Sequence, residues 1–265
     1  MRYFFHIGYR GTHYRGWQRQ PNAPNVQAII EQALGQIFKR EIVITGCGRT
    51  DAGVHASQFF FHVDIQQTWD FDLLFRLNKV LPDDIAVFDI LPMEGEPHAR
   101  YDAISRTYDY YIHTCKDPFL SEYSSLYLER NLNVEKMSDA ASLLLRYTDF
   151  SNFCKSPASH NTTVCKISQA DLLTDGSGRI RFTISSNRFL MKMVRIIVGR
   201  LLLVGRSILS VEEFEKMLEA PRTTDDLDAA HPQGLHLVKV VYPFLELPSQ
   251  NRFAMAGSEI AWQQI

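Results

Sequence analysis

Apolar and polar side chains alternate from the first residues. Tyr3, Phe5, Ile7 and Tyr9 interleave with Arg2, Phe4, His6 and Gly8, a two-residue period that predicts a strand. From Asn25 the period lengthens. Val26, Ile29, Ile30, Ala33, Leu34, Ile37 and Phe38 recur at three- and four-residue spacing, the stripe of an amphipathic helix that Asn25 can cap. The runs 41–45 and 57–64 read as strands on either side of a glycine-bearing stretch. Asp70 is placed to cap a second helix reaching about Lys79, with Phe71, Leu74, Phe75 and Asn78 on one face. Ile85 to Leu91 predicts a further strand, so the order is β-α-β-β-α-β.

The second half repeats that order. Arg106 to Thr114 is strand-like, with Tyr108, Tyr110 and Ile112 alternating. Asn133 can cap a helix that turns Val134, Met137, Ala141, Leu144 and Leu145 inward. Strands at about 163–174 and 179–186 flank Asp175-Gly176-Ser177-Gly178, a hairpin signal. A helix from about Arg188 to Val204, a shorter one near 211–219 and a strand from Leu235 to Tyr242 complete it. The expected class is α+β: two ferredoxin-like halves, 1–104 and 105–247, joined in a continuous, mostly antiparallel sheet with a central cleft. A polar tail, 248–265, follows.

Composition narrows the function. With 265 residues, 45% of them hydrophobic, the chain can build one large or two ordinary cores. Its longest apolar stretch, Ile196 to Val204, is interrupted by Gly199 and Arg200, too short and too polar for a membrane span. The N-terminus runs straight into a strand pattern without a signal-peptide core, so a cytoplasmic protein is expected. Cys47, Cys115, Cys154 and Cys165 lack zinc-ligand spacing and read as reduced thiols, with no metal. A net charge of −2 argues against a globally basic nucleic-acid binder, but not against a local basic stripe. Arg10, Arg15 and Arg19 form such a cluster, in a segment that also carries Tyr9, Tyr14 and Trp17.

The chemistry points to Gly46-Cys47-Gly48-Arg49-Thr50-Asp51-Ala52-Gly53. Asp51 alone reads equally as a turn-former. The flanking glycines, however, let a bulky ligand approach its carboxylate closely. Arg195 lies on an apolar helix beside Val194, one turn before Gly199. A guanidinium there either finds an acidic partner or snorkels to water.

The segments Gly11-Thr12-His13-Tyr14-Arg15-Gly16-Trp17-Gln18-Arg19-Gln20-Pro21, Gly48 to Ala56 and Leu81-Pro82-Asp83-Asp84-Ile85 make a pattern. His98-Ala99-Arg100, Arg106-Thr107-Tyr108, Phe189-Leu190, Met193-Val194-Arg195, Val198-Gly199 and Gly234-Leu235 continue it. Over nearly its whole length the chain resembles the tRNA pseudouridine synthase A (TruA) family. The resemblance implies an isomerase that makes pseudouridine in the anticodon stem-loop of tRNA, at positions 38–40, as a homodimer. It implies Asp51 as the essential carboxylate, Arg195 as the arginine paired with it, Tyr108 as the tyrosine against the target base and Arg49 as the arginine holding the flipped nucleotide. The reaction neither oxidises its substrate nor adds a group, so no cofactor is expected. His55 reads as a support of the loop. Arg10, Arg15, Arg19, Arg100, Arg106, Arg188 and Lys192 are candidates for phosphate contacts. Arg10 stands where the family commonly carries an acidic residue, and Arg222 to Pro232 is acidic. Two rival readings are a non-catalytic RNA-binding module on the same scaffold and a nucleoside hydrolase using Asp51 and His55.

Overall fold

The computed structural model describes residues 1–129, 131–219, 228–246 and 262–265. Part of the acidic stretch and most of the polar tail therefore lie outside the described residues. The elements are β1 (Arg2–Tyr9), α1 (Val26–Phe38), β2 (Thr45–Gly46), β3 (His55–Asp64), α2 (Leu73–Val80) and β4 (Ile85–Met93), then β5 (Ser105–His113), β6 (Ser125–Leu126), α3 (Val134–Leu143), β7 (Ile167–Thr174), β8 (Arg179–Ser186), α4 (Met193–Gly205), α5 (Val211–Glu219), β9 (Leu235–Val241) and β10 (Gln263–Gln264). They belong to two compact units, one of residues 1–104 with 236–246 and one of 105–235 with 262–265. Each is a mixed α/β unit with a mostly antiparallel sheet.

In the first unit β1 is central, antiparallel to both β3 and β4. β2 pairs with β3, and β9 meets β3 in parallel at His55–His236 and Ala56–Leu237. β1 is buried on both faces from Phe4 to Tyr9, so its alternation does not separate core from solvent. Aromatic packing explains this: Phe4 meets Tyr242 and Phe244 edge-on, and His6 stacks on Phe60 at 4.9 Å between ring centroids.

The expected strand at 41–45 is reduced to Thr45–Gly46. Helix side chains supply the missing ladder. Glu31 Oε1 accepts from the Ile44 N–H (3.1 Å) and from Gln27 Nε2 (3.0 Å), which in turn donates to the Ile44 carbonyl (3.1 Å). The second helix is capped by Asp72, whose carboxylate accepts from the Phe75 N–H, and not by Asp70. Its buried stripe is Leu73 and Leu77, with Phe75 60% exposed, because Phe71 precedes the helix and cannot start the predicted stripe. Asn78 instead brackets Val87, donating to its carbonyl and accepting from its N–H, both at 2.8 Å.

In the second unit β8 lies between β7 and β5, antiparallel to both, and β10 pairs with β7. The hairpin joining β7 to β8 has Gly176 and Gly178 at positive φ, and Asp175 accepts from the Ser177 and Arg179 N–H groups. β7 begins at Ile167 because residues 163–165 pair with residues 148–150. The helix predicted from Arg188 starts at Met193. Lys192 at its N-cap has φ +60°, and the Met191 carbonyl is taken by the Lys155 N–H. On α3, Ala140 and Leu143 are buried where Leu145 was expected; Leu145 lies past the helix and is 49% exposed. Among the described residues, no helix is long and apolar enough to cross a membrane and no group of three metal-ligating side chains is assembled.

Glu31→Ala strands the buried Ile44 N–H and should destabilise the chain by about 1–3 kcal/mol. Glu31→Gln keeps an acceptor oxygen and should recover most of the loss. Urea unfolding of both variants checks this; equal losses would discount the side-chain bridge.

Candidate active site

Asp51 lies in the loop between β2 and β3, and the main chain around it is tied down on both sides. Upstream, the Thr50 carbonyl accepts from the Trp17 N–H at 3.2 Å, and the Thr50 hydroxyl is 2.9 Å from the buried Tyr9 hydroxyl. Downstream, the Gly53 N–H donates to the Tyr14 carbonyl and the Val54 N–H to the Asp51 carbonyl, both at 3.2 Å. Apart from the Asp51–Val54 turn, the partners come from β1 and the loop that follows it.

Glycines make this approach possible. A Cβ on Gly11 would stand 2.0 Å from the Val54 carbonyl oxygen, and one on Gly16, at φ +88°, 2.2 Å from that of Thr50. A Cβ on Gly46 would stand 2.6 Å from the Trp17 indole. Gly48, by contrast, faces open space, with nothing within 4 Å of where a Cβ would stand. So Gly11, Gly16 and Gly46 serve close packing, while Gly48 keeps the open approach expected of the stretch. Trp17 anchors the arrangement, its ring centroid 4.1 Å from that of Phe59. Asp51 itself is half-buried and Arg49 exposed.

His55 sits inside the loop's support. Its Nδ1 accepts from the Gly11 N–H at 3.1 Å, and its ring stacks on His236 at 4.6 Å. It is buried and occupied as a brace, a poor placement for a base acting on solvent or ligand.

Tyr108 and Arg195 belong to the second unit. Tyr108 is on β5 opposite Ile184, half-buried, with Phe189 edge-on to its ring at 5.1 Å and 90°. Arg195 is on α4, half-buried. Its Nε donates to the Ala230 carbonyl (2.7 Å), and the Ala230 N–H donates back to the Arg195 carbonyl (2.9 Å). Gly199, the next turn of α4, admits that segment: a Cβ there would be 2.3 Å from the Asp228 carbonyl oxygen. The Tyr110 hydroxyl holds the following residue, donating to the His231 carbonyl at 2.8 Å; burial, then the neighbouring Tyr127, keeps that phenol protonated far above its ordinary range. Arg195 thus neither dangles into water nor stands on helix packing alone.

The basic candidates divide by unit. Arg15 is exposed, Arg19 reaches Glu31 at 3.4 Å, and Arg10 is half-buried with its N–H on the Asp84 carbonyl. Arg100 is exposed beside the Tyr101 ring. In the second unit Arg106 donates to the Asn187 carbonyl at 3.2 Å, on the turn that carries Arg188 and leads to Lys192. Arg19 and Arg106 therefore have protein partners as well as their charge.

Sequence reasoning missed the supporting residues: Tyr9, Gly11, Gly16 and Thr50 in one unit, Tyr110 and Ala230 in the other. A run with two glycines, a tyrosine and a tryptophan in seven residues was a signal of close packing, but it named no partner.

Gly16→Ala should destabilise the chain by about 1–3 kcal/mol, since a side chain there needs a strained φ and displaces the Thr50 carbonyl. Gly48→Ala meets nothing and should leave the melting temperature close to wild type. Thermal unfolding of the two variants decides; equal shifts would contradict the different roles of the two glycines.

The family model for tRNA pseudouridine synthase matches residues 7–102 and 140–243. The chain is 42% identical over 246 residues to tRNA pseudouridine synthase A of Porphyromonas gingivalis, covering 91% of this chain and 97% of that one. It is 44% identical over 245 residues to the protein of that name in Parabacteroides distasonis (91% and 96% covered). For the one in Francisella philomiragia the identity is 36% over 245 residues, with 91% and 94% covered. The chain belongs to the tRNA pseudouridine synthase family and is an isomerase acting on tRNA.

Proposed function

We propose that the chain isomerises uridines in the anticodon stem-loop of tRNA, with Asp51 as the catalytic carboxylate. The supporting observation is the two-sided main-chain clamp on the Asp51 loop, which fixes Thr50 and Gly53 while the Asp51 side chain stays only half-buried. A reaction of this kind needs a carboxylate whose position is set before substrate arrives.

The isomerisation breaks the N1–C1′ bond, turns the uracil and joins C5 to C1′. The C5 proton leaves, and N1 ends protonated. No electrons are exchanged with an outside partner, so the reaction requires no redox or nucleotide cofactor. An ionised carboxylate is a competent nucleophile or base at the sugar or the ring. Burial opposes ionisation, and a guanidinium within hydrogen-bonding reach favours it. Arg195 is assigned that role, with Ala230 fixing the plane of its guanidinium.

Tyr108 is assigned to the target base. Its ring supplies a stacking face and its hydroxyl a proton relay near C5, and base stacking of this type contributes about 1–3 kcal/mol. Extruding a stem uridine costs a few kcal/mol. Arg49, exposed two residues before Asp51, offsets part of this by holding the displaced backbone. Arg10, Arg15, Arg19, Arg100, Arg106, Arg188 and Lys192 contact phosphates in this reading. The working form is a cytoplasmic homodimer.

Asp51→Asn should abolish pseudouridine formation in an anticodon stem-loop substrate while tRNA affinity stays within about threefold. Retained turnover would remove Asp51 from the chemistry, and release of free uracil by the wild-type protein would identify a hydrolase instead. Tyr108→Phe should bind tRNA normally and turn over on the order of tenfold to a hundredfold more slowly in a single-turnover assay. A wild-type rate would leave the ring with stacking alone.

A further inference from the structure

Two of the segments that carry the family resemblance, Gly11 to Pro21 and Leu81 to Ile85, are joined by one side chain that no role assigned so far uses. The Tyr14 hydroxyl donates to Asp84 Oδ1 at 2.5 Å. Tyr14 is only 7% exposed, and burial followed by the Asp84 hydrogen bond pushes its pKa well above the ordinary phenol range, so it remains a donor at any working pH. Asp84 immediately precedes β4, and its carbonyl also takes the Arg10 N–H at 2.9 Å. The anchor is thus the end of a strand paired along the central β1.

The main chain of Tyr14 faces the other way. Its carbonyl accepts the Gly53 N–H, two residues past Asp51, and its N–H closes a turn on the Gly11 carbonyl at 3.0 Å. Gly11 in turn donates to His55. Tyr14 is a crossbar, with its side chain on the sheet and its backbone on the loop that bears the carboxylate.

We propose that Tyr14 is a positioning residue for Asp51, transmitting the fixed end of β4 to Gly53 through the Tyr14–Asp84 hydrogen bond. This rests on the reading of Asp51 as the catalytic carboxylate. Without the phenol–carboxylate bond, the 11–17 loop keeps its contacts to Thr50 and β3 but loses its side-chain tie to the start of β4. The carboxylate then samples orientations off the reacting geometry, and misplacement of that order lowers rates by about a hundredfold. The Arg10–Arg19 cluster rides on the same loop, so tRNA held by those arginines acts on the same crossbar.

The test is the single-turnover rate at saturating enzyme together with tRNA affinity, measured for the wild type, Tyr14→Phe, Asp84→Ala, Asp84→Asn, the double variant Tyr14→Phe/Asp84→Ala, and Asp51→Asn. Tyr14→Phe and Asp84→Ala should each slow the saturated rate on the order of tenfold to a hundredfold, with affinity within about threefold. Asp84→Asn keeps a carbonyl to accept from Tyr14 and should stay within about threefold of wild type. The double variant should be no slower than the slower single one, the signature of a shared interaction. An unchanged saturated rate in Tyr14→Phe overturns the proposal, as do a loss explained wholly by weaker tRNA binding and multiplicative effects in the double variant. If Tyr14→Phe does not fold, the contrast between Asp84→Ala and Asp84→Asn decides by the same criterion. An inactive Asp51→Asn beside a wild-type Tyr14→Phe rejects the positioning role alone, whereas an active Asp51→Asn rejects the reading beneath it.

Discussion

The first unit depends on main-chain contact between two loops. Residues 11–17 and 50–55 exchange backbone hydrogen bonds at distances that no side chain on Gly11 or Gly16 would permit. Loops usually satisfy their polar backbone with water and stay mobile. Here each satisfies the other, with Trp17 and Tyr9 burying apolar surface beneath. A loop held in this way behaves more like an extension of the sheet than a free connection. Asp51 inherits that rigidity from residues on either side of it.

The second unit reaches a similar end by similar means. Gly199 removes a side chain from the surface of α4, the segment at 228–230 settles onto the helix, and Arg195 and Ala230 exchange hydrogen bonds. Tyr110 then fixes His231 from the sheet. In both units a glycine lets main chain approach a charged residue's neighbourhood, and an aromatic hydroxyl on a strand or its adjoining loop secures the arrangement. Charged side chains are long and entropically costly to order. Docking backbone beside them limits their freedom without adding another charge.

Period and caps made much of the fold legible. β1, α1 with its Asn25 cap, the β7–β8 hairpin and the α3 cap at Asn133 lie where alternation and capping chemistry put them. Errors arose where a tertiary partner replaced a local one. Glu31 and Gln27 took over the hydrogen bonds of a strand at Ile44, and the 188–192 segment was tied to its neighbours before a helix could begin. The stripe on α2 was misread because Leu73 and Leu77 outweigh the nearby phenylalanines only once Phe71 is known to precede the helix. The charged residues of the site were named from motifs, whereas their supports were not. Tyr14 and Asp84 are 70 positions apart, and no periodicity connects a tyrosine in one loop to an aspartate in another.

That difference bears on how a protein with a net charge of −2 can act on a polyanion. Affinity from phosphate contacts depends on local cations, and the 10–19 loop concentrates three of them within ten residues. The same loop supplies Tyr14 and Trp17, both bonded to the main chain beside Asp51. In the proposed reading, electrostatic contact with RNA and placement of the carboxylate therefore share one short piece of chain. A globally basic surface would strengthen binding everywhere, including in registers far from the carboxylate. On the proposed reading, a cation cluster on the loop that also sets Asp51 favours the binding register that matters for the reaction, and the absence of a net positive charge over the chain keeps the unproductive ones weak.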